Sequence, residues 1–304
     1  MKEKELINII KNISGSEYIG DDCAYLNDFE LVVTQDSLVE GVHFSLDYTD
    51  GYKLGYKSVK VNLSDIYASG GIPKYITISL SLPSFADNSF VEEFYKGVKD
   101  ACAGDVKVIG GDLTGSDKIF VSVCALGSAK GRNISSRSKA KEGYKIVVLG
   151  LHGSSAAGFQ LLKSGSKDFS NKFIKAHLTP EIQSDFAINI AQTVKEPYAM
   201  MDTSDGLMDA LSTIANESGV LLEVDFAKIP YDGDIKQFLN WEDFVLFGGE
   251  DYGILAVVPE KYDIGGTQIG YAKKGLGVDM LLNGKKIHYS KADVENKIFN
   301  HFNY

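Results

Sequence analysis

Acidic residues beside glycine, serine or threonine recur in this sequence where apolar runs begin or end. Asp22 stands in Ile19-Gly20-Asp21-Asp22-Cys23-Ala24, and Asp36 closes Leu31-Val32-Val33-Thr34-Gln35-Asp36. Asp65 lies in Val61-Asn62-Leu63-Ser64-Asp65-Ile66-Tyr67-Ala68-Ser69-Gly70-Gly71, Asp112 follows Gly110-Gly111, and Asp202 and Asp205 flank Thr203-Ser204 just before Gly206. No cluster of His or Cys accompanies them, so the donor set is oxygen alone and suits hard cations, Mg²⁺ before Mn²⁺ or Ca²⁺. Mg²⁺ takes one or two carboxylates and fills its shell with water and phosphate oxygens, so sparse acidic turns fit several bridged ions. Without cations such a pocket repels a nucleotide by about 4 kcal/mol per unit pair at 4 Å and an effective dielectric of 20. Divalent ions reverse that sign, as phosphoryl transfer requires.

Plainer explanations compete at each position taken alone. Ser64-Asp65 and Ser204-Asp205 both place a Ser before an Asp as helix N-caps do, and the remaining acids could be ordinary turns. Several such motifs coinciding at element ends make the joint coincidence much less probable. His43 alone reads as a structural histidine, Arg137 as a solvated linker charge, and Phe299 as packing for a last helix. Gly153-Ser154-Ser155-Ala156-Ala157-Gly158 lacks the Gly-Lys-Ser/Thr ending of a phosphate loop and reads as small-residue helix packing. There is no GxGxxG after a first strand and no GxSxG turn, which disfavours dinucleotide-binding and α/β-hydrolase folds.

The elements that must position these groups follow from periodicity. Leu6, Ile9, Ile10 and Ile13 predict a helix over 4–13 with an apolar stripe facing a core. The run 31–36 predicts a strand delivering Asp36 at its carboxyl end, followed by a loop over 40–44. Leu54, Tyr56, Val59, Leu63 and Ile66 predict one or two helical pieces over 51–68, ending at Gly70-Gly71-Ile72-Pro73. Residues 74–82 read as a strand, Asp87 as the cap of a helix over 88–102, and 106–109 and 119–126 as strands on either side of Gly110-Gly111-Asp112. The basic, polar stretch 131–143 marks a boundary, dividing the chain into 1–137 and 138–304. Beyond it, helices are expected over 154–162, 181–194 and 207–219, and strands over 144–149, 199–202, 244–247, 253–258 and 278–282. Gly248-Gly249-Glu250-Asp251-Tyr252 forms an acidic glycine turn. Helices and strands mix without a clean βα repeat, so the expected fold class is α+β in each half.

Composition bounds the function. With 304 residues, 44% hydrophobic and 24% charged, the chain can bury a sizeable core. A net charge of −10 argues against nucleic acid or an anionic membrane as partner. Cys23, Cys102 and Cys124 are too few and too scattered for a disulfide framework or a zinc site, which suggests the cytoplasm. The N-terminus reads as neither a signal peptide nor a membrane span.

Taken in order, the six acidic motifs, with Gly41-Val42-His43-Phe44, closely resemble those of the thiamine-monophosphate kinases, within the ATP-binding superfamily of aminoimidazole ribonucleotide synthetase. The resemblance implies two α+β domains, an N-terminal one that binds ATP and metal and forms a homodimer, and a C-terminal one. It implies ATP-dependent phosphorylation of thiamine phosphate to thiamine diphosphate with several Mg²⁺ ions. By motif, Asp22, Thr34, Gln35, Asp36, Asp65, Asp112, Asp202 and Asp205 fall on metal positions. Tyr95, Gly111, Asp112, Arg137 and Ser204 fall on nucleotide positions, and His43, Glu250 and Phe299 on substrate positions. No covalent nucleophile or general base is implied, because the substrate phosphate itself attacks. Gln35 stands where the family usually has Thr, which points to a contact through the backbone carbonyl. Leu113-Thr114 replaces a pair of threonines, Tyr144 replaces an aspartate, and Ile298-Phe299-Asn300-His301-Phe302 departs from a Gly-Tyr-Asp-His-Phe tail. The alternatives are another ATP-using enzyme of the superfamily, such as a selenophosphate or amidine-forming synthetase, or a nucleotide-binding scaffold without turnover.

Overall fold

The computed structural model describes residues 3–299. Contacts group them into two units, one holding the chain up to Ile66 with Pro73–Ser128, the other Tyr67–Ile72 with Ala129–Ile298. Ala129–Arg137, which the sequence reading assigned to the first domain, thus clusters with the second unit. There Ser135 Oγ donates to the Ala68 carbonyl at 2.9 Å, and Tyr198 Oη to the Asn133 carbonyl at 2.9 Å.

The first unit is built on a five-stranded sheet of β1 (Ala24–Leu26), β2 (Leu31–Val39), β3 (Ile72–Leu82), β4 (Lys107–Gly115) and β5 (Phe120–Ser128), in the order β1-β2-β5-β3-β4. β2 and β5 pair antiparallel along their whole length, from Leu31↔Ser128 to Val39↔Phe120. β3 and β4 are parallel and therefore need a crossover, which α3 (Asn88–Cys102) supplies. Ile76, Ile78 and Leu80 alternate into the core with Val121, Val123 and Ala125. Against them pack Leu54, Val59 and Ile66 of α2 (Gly51–Ala68) and Phe94 and Val98 of α3. Asp87 caps α3 as its sequence predicts, accepting from the Phe90 N–H at 3.0 Å.

Three expectations for this unit change. Residues 51–68 form one unbroken helix, so Ser64-Asp65 lies in its last turn and not at a helix start. The apolar face of α1 (Glu3–Ser14) is not covered within the unit: Ile9, Ile10 and Ile13 are 52%, 55% and 83% exposed. Periodicity identifies which face is apolar but not what covers it. Finally, β4 runs straight through Gly110-Gly111-Asp112, which sits mid-strand. A Cβ on Gly111 would lie 1.9 Å from the Ile78 carbonyl oxygen, so the glycine serves close approach to β3 and does not end the strand.

The second unit carries a seven-stranded sheet: β6 (Lys145–Leu149), β7 (Ala199–Asp202), β8 (Leu221–Asp225), β9 (Ile254–Val258), β10 (Thr267–Lys273), β11 (Gly277–Leu282) and β12 (Lys285–Tyr289), in the order β12-β11-β8-β10-β6-β9-β7. β9, buried at every position, lies between β6 and β7 and reads accordingly as the continuous apolar run ILAVV. The helices are α4 (Ser154–Lys163), α5 (Lys172–Leu178), α6 (Ser184–Thr193), α7 (Leu207–Ser218), α8 (Trp241–Phe247) and α9 (Lys291–Glu295). Residues 244–247, expected as a strand, instead end α8. A four-residue apolar run does not reveal its period; the acidic first turn, Glu242 and Asp243, was the available helix signal.

Glycines set the approach of α2 to α3. A Cβ on Gly97 would lie 2.0 Å from the Tyr52 carbonyl oxygen, and one on Gly55 would lie 2.0 Å from that of Phe94. Alanine at Gly97 gains about 1 kcal/mol of helix propensity, but the backbone opposite has no flexible side chain to yield. We expect Gly97→Ala to lose about 2–3 kcal/mol in urea unfolding. Gly115→Ala, where nothing lies within 4 Å of the added carbon, stays within about 0.5 kcal/mol of wild type.

Candidate functional site

In the first unit, β2 and α2 bring chemistry together across 31 sequence positions: Thr34 Oγ1 donates to Asp65 Oδ2 at 2.7 Å. Asp22, from the turn before β1, places a carboxylate oxygen within 4.8 Å of one from Asp65. Asp65 stands in the last turn of α2, where the partial negative charge of the helix end disfavours a carboxylate. Capping therefore does not explain Asp65. Two half-buried acids this close repel by about 3 kcal/mol at an effective dielectric of 20, and a hard divalent cation between them reverses that sign. The donors present fit Mg²⁺: they are oxygens only, and Thr34 already fixes the orientation of one carboxylate.

Asn62 is a residue that sequence reasoning missed. It is 1% exposed; its Oδ1 accepts from the Asp36 N–H at 2.9 Å and its Nδ2 donates to the Ser58 carbonyl at 2.9 Å. One turn ahead of Asp65, it locks the register of α2 on β2 by holding the Asp36 backbone. The signal was a polar residue three positions before the acid on a helix whose neighbouring positions are apolar. Gln35 points to the other face of β2, as alternation demands, and its Nε2 donates to Ser122 Oγ at 3.0 Å. Its side chain is thus turned from the face of Thr34 and Asp36.

The remaining first-unit positions are spread out. Gly111 and Asp112 are exposed on β4, opposite Ile78 and Ser79 of β3. Tyr95, on α3, is packed edge-on against Phe94 and borders a depression of ≈ 580 Å³ with Val98, Lys99, Cys102, Val106 and Val108. His43 accepts the Val39 N–H at Nδ1 (3.0 Å), so the neutral ring carries its proton on Nε2. Phe299, the last described residue, is 54% exposed; Asn300, His301 and Phe302 of the tail motif lie outside the described residues.

In the second unit two motifs meet. Asp202, 1% exposed at the end of β7, accepts from Ser204 Oγ at 2.8 Å. The Glu250 N–H donates to the Ser204 carbonyl at 2.6 Å, and the Thr203 N–H to that of Gly253 at 2.9 Å. Glycine is required at this meeting: a Cβ on Gly249 would lie 2.7 Å from the Ser204 oxygen, and one on Gly206 2.9 Å from that of Gly248. Gly206 itself, without a side-chain cap, starts α7, so Ser204 and Asp205 are turn residues and Asp205 is exposed. Arg137 is half-buried; its carbonyl accepts from Ser218 Oγ at 2.8 Å.

Asp251 and His177 were not singled out by sequence. The Asp251 carboxylate accepts the Gly153 and Ser155 N–H groups at the start of α4, 2.5 and 2.8 Å away, an N-terminal cap supplied from far along the chain. His177 Nδ1 lies 3.2 Å from Glu250 Oε2 and 3.0 Å from Ser155 Oγ. Serine and carboxylate share one ring nitrogen, so this is not the arrangement that activates a serine nucleophile, which uses both nitrogens.

Two buried groups of this unit titrate in opposite senses. Burial pushes the Asp251 carboxyl up to about 7, against the backbone N–H groups that favour its charge, while burial pushes His152 down to about 4. Asp251 thus holds its proton more tightly in the fold than unfolded, and its stabilisation is lost as pH rises from about 4 to about 7. His152 does the reverse, losing stabilisation as pH falls from 6.5 towards about 4. Relative to wild type, Asp251→Asn is expected to gain urea stability as pH rises across the first window, and His152→Leu as pH falls across the second. Midpoints compared at pH of about 4.5 and 7 check both slopes.

Residues 20–129 match the family described as AIR synthase related protein, N-terminal domain. The chain is 37% identical to the thiamine-monophosphate kinase of Aquifex aeolicus (strain VF5), covering 93% of this chain and 94% of that one. To the thiamine-monophosphate kinase of Bacillus subtilis (strain 168) it is 33% identical, covering 93% of each. The solved structure of AaThiL complexed with AMPPCP and TMP superposes with a TM-score of 0.87 at 34% identity, over 99% of this chain and 97% of that one. The chain belongs to the thiamine-monophosphate kinase family and has its two-sheet α+β fold.

Proposed function

We propose that this chain phosphorylates thiamine phosphate to thiamine diphosphate at the expense of ATP, by direct in-line transfer, as a homodimer whose acidic motifs hold several Mg²⁺ ions. The carrying observation is the Asp22–Asp65 pair oriented by Thr34, in a member of this family. The related AaThiL was solved with AMPPCP and TMP, which fits a nucleotide and a second small ligand here. Asp22, Asp36, Asp65, Asp112, Asp202 and Asp205 are assigned to metal by side chain, with Thr34 beside them and Gln35 through its carbonyl. Mg²⁺ held there would neutralise phosphate charge and align the two phosphates.

The chain's own groups then have separate tasks. Arg137 forks onto phosphate, Ser204 and the exposed Gly111-Asp112 backbone meet the nucleotide, and Tyr95 offers it an aromatic face. Glu250 accepts from the aminopyrimidine, Phe299 stacks on the flat or cationic ring, and His43 presents Nε2–H to the substrate. The attacking oxygen belongs to the substrate phosphate and is already anionic, so no side chain need remove a proton. Alignment and charge neutralisation carry the catalysis.

The dimer reading rests on β4. It is a nine-residue edge strand, exposed throughout, with Val108, Ile109 and Leu113 at 45%, 56% and 66%. An edge of that length and apolarity is a template for pairing unless something covers it. The assignment of metal binding and dimerisation to the N-terminal part follows the family resemblance. The cysteines Cys23, Cys102 and Cys124 are free thiols, which suits a reducing, ATP-rich cytoplasm. No described helix is long and apolar enough to cross a membrane.

Product analysis with ATP, Mg²⁺ and thiamine phosphate tests the reaction, and ATP consumption without thiamine diphosphate would sink it. Asp65→Asn should lose turnover by roughly a thousandfold or more while remaining folded by circular dichroism; activity near wild type would remove Asp65 from the site. For Phe299→Ala the KM for thiamine phosphate should rise with the KM for ATP nearly unchanged. Steady-state kinetics in both substrates separates these.

A further inference from the structure

Behind Glu250 stands His177, in the last turn of α5 and only 4% exposed. Its ring is fixed on one face by Phe159 of α4, with centroids 5.1 Å apart and planes inclined by 28°. Its Nδ1 meets Glu250 Oε2 at 3.2 Å and Ser155 Oγ at 3.0 Å. An ionised carboxylate only accepts, so this nitrogen carries a proton, and its N–H is shared between Glu250 Oε2 and Ser155 Oγ, both accepting. Ser155 is tied in turn, its N–H donating to Asp251 Oδ1 at 2.8 Å. A closed circuit results: Glu250 to His177, His177 to Ser155, Ser155 to Asp251, the neighbour of Glu250 in the chain.

The backbone at Glu250 explains why such bracing is needed. Glu250 has φ +65° and Tyr252 φ +50°, left-handed conformations that glycine adopts readily and these residues do not. The Glu250 side chain is 28% exposed, so it would otherwise swing with solvent. A carboxylate held at one oxygen presents the other in a fixed direction, ready to accept an N–H from a ligand.

We propose that His177 is a positioning residue for substrate recognition. It orients Glu250 so that the oxygen not held by the ring accepts from the exocyclic amine of an amino-substituted heteroaromatic phosphate ester. This rests on the reading that places Glu250 against thiamine phosphate. Ser155, 1% exposed, and Phe159 hold the imidazole.

Kinetics in both substrates test it. His177→Leu is expected to raise the KM for thiamine phosphate about tenfold, the loss of a hydrogen bond to a charged group, with kcat and the KM for ATP within about twofold of wild type. His177→Asn, whose amide nitrogen overlays Nδ1, should restore that KM to within about threefold. Adding His177→Leu to Glu250→Gln should cost nothing beyond Glu250→Gln alone. An unchanged thiamine phosphate KM in His177→Leu, beside a raised one in Glu250→Gln, overturns the proposal and leaves the kinase reading intact. So do equal losses for both substrates or multiplicative effects in the double variant. An unchanged KM in Glu250→Gln removes Glu250 from the substrate and this proposal with it. Absence of thiamine diphosphate with the wild-type chain defeats the kinase reading itself. Should His177→Leu not fold, His177→Gln, with its amide at the Nε2 position, replaces it: a raised KM supports the proposal and a wild-type KM overturns it.

Discussion

Like charges held together at the wrong end of a helix are the constraint on which the first unit turns. Asp65 is placed where α2 ends, and a carboxylate oxygen of Asp22 is brought within 4.8 Å of one of its own. Repulsion of a few kcal/mol is a sizeable part of the net stability of a domain. The surrounding structure therefore over-determines the pair. Thr34 grips Asp65 from β2, Asn62 bolts α2 to the same strand, and Gly55 and Gly97 fix α2 against α3 at backbone contact. A divalent cation at the proposed site would relieve the repulsion that these contacts hold in place.

The second unit solves a related problem with different means. The turn after β7 and the turn before β9 are joined by backbone hydrogen bonds and by glycines that admit the opposing carbonyls. The acidic Glu250-Asp251 pair divides its labour. Asp251 turns inward to cap α4 and becomes hard to ionise, while Glu250 stays partly exposed and is braced by His177. Two adjacent carboxyl groups thus acquire different chemistry from their surroundings alone.

Much of this was legible beforehand, and the omissions have physical reasons. The acidic motifs are contiguous and carry their glycines with them, so the eye finds them; the α+β class and most elements follow from periodicity. Asp65 was ambiguous because Ser-Asp reads as a cap wherever a helix could start, and only the unbroken α2 decides against it. The run 244–247 was too short to show a period, and α1 showed an apolar face without showing its cover. Asn62, His177 and the Asp251 cap were hidden for another reason. Each acts through a partner far away in the chain, 98 positions in the case of Asp251 and Gly153, and no local pattern encodes such a pairing.

Gly111 and Asp112 share one further property: both lie on β4, hydrogen-bonded to β3 along one side and open along the other. Strands supported on a single side fray more readily than those enclosed between neighbours. If the open side is where a second copy pairs, and if the proposed nucleotide contact at Gly111 and Asp112 is made, ligand-binding backbone and subunit contact become the same object. Catalytic competence would then depend on how much of the protein is present, and dilution would act as a silent inhibitor.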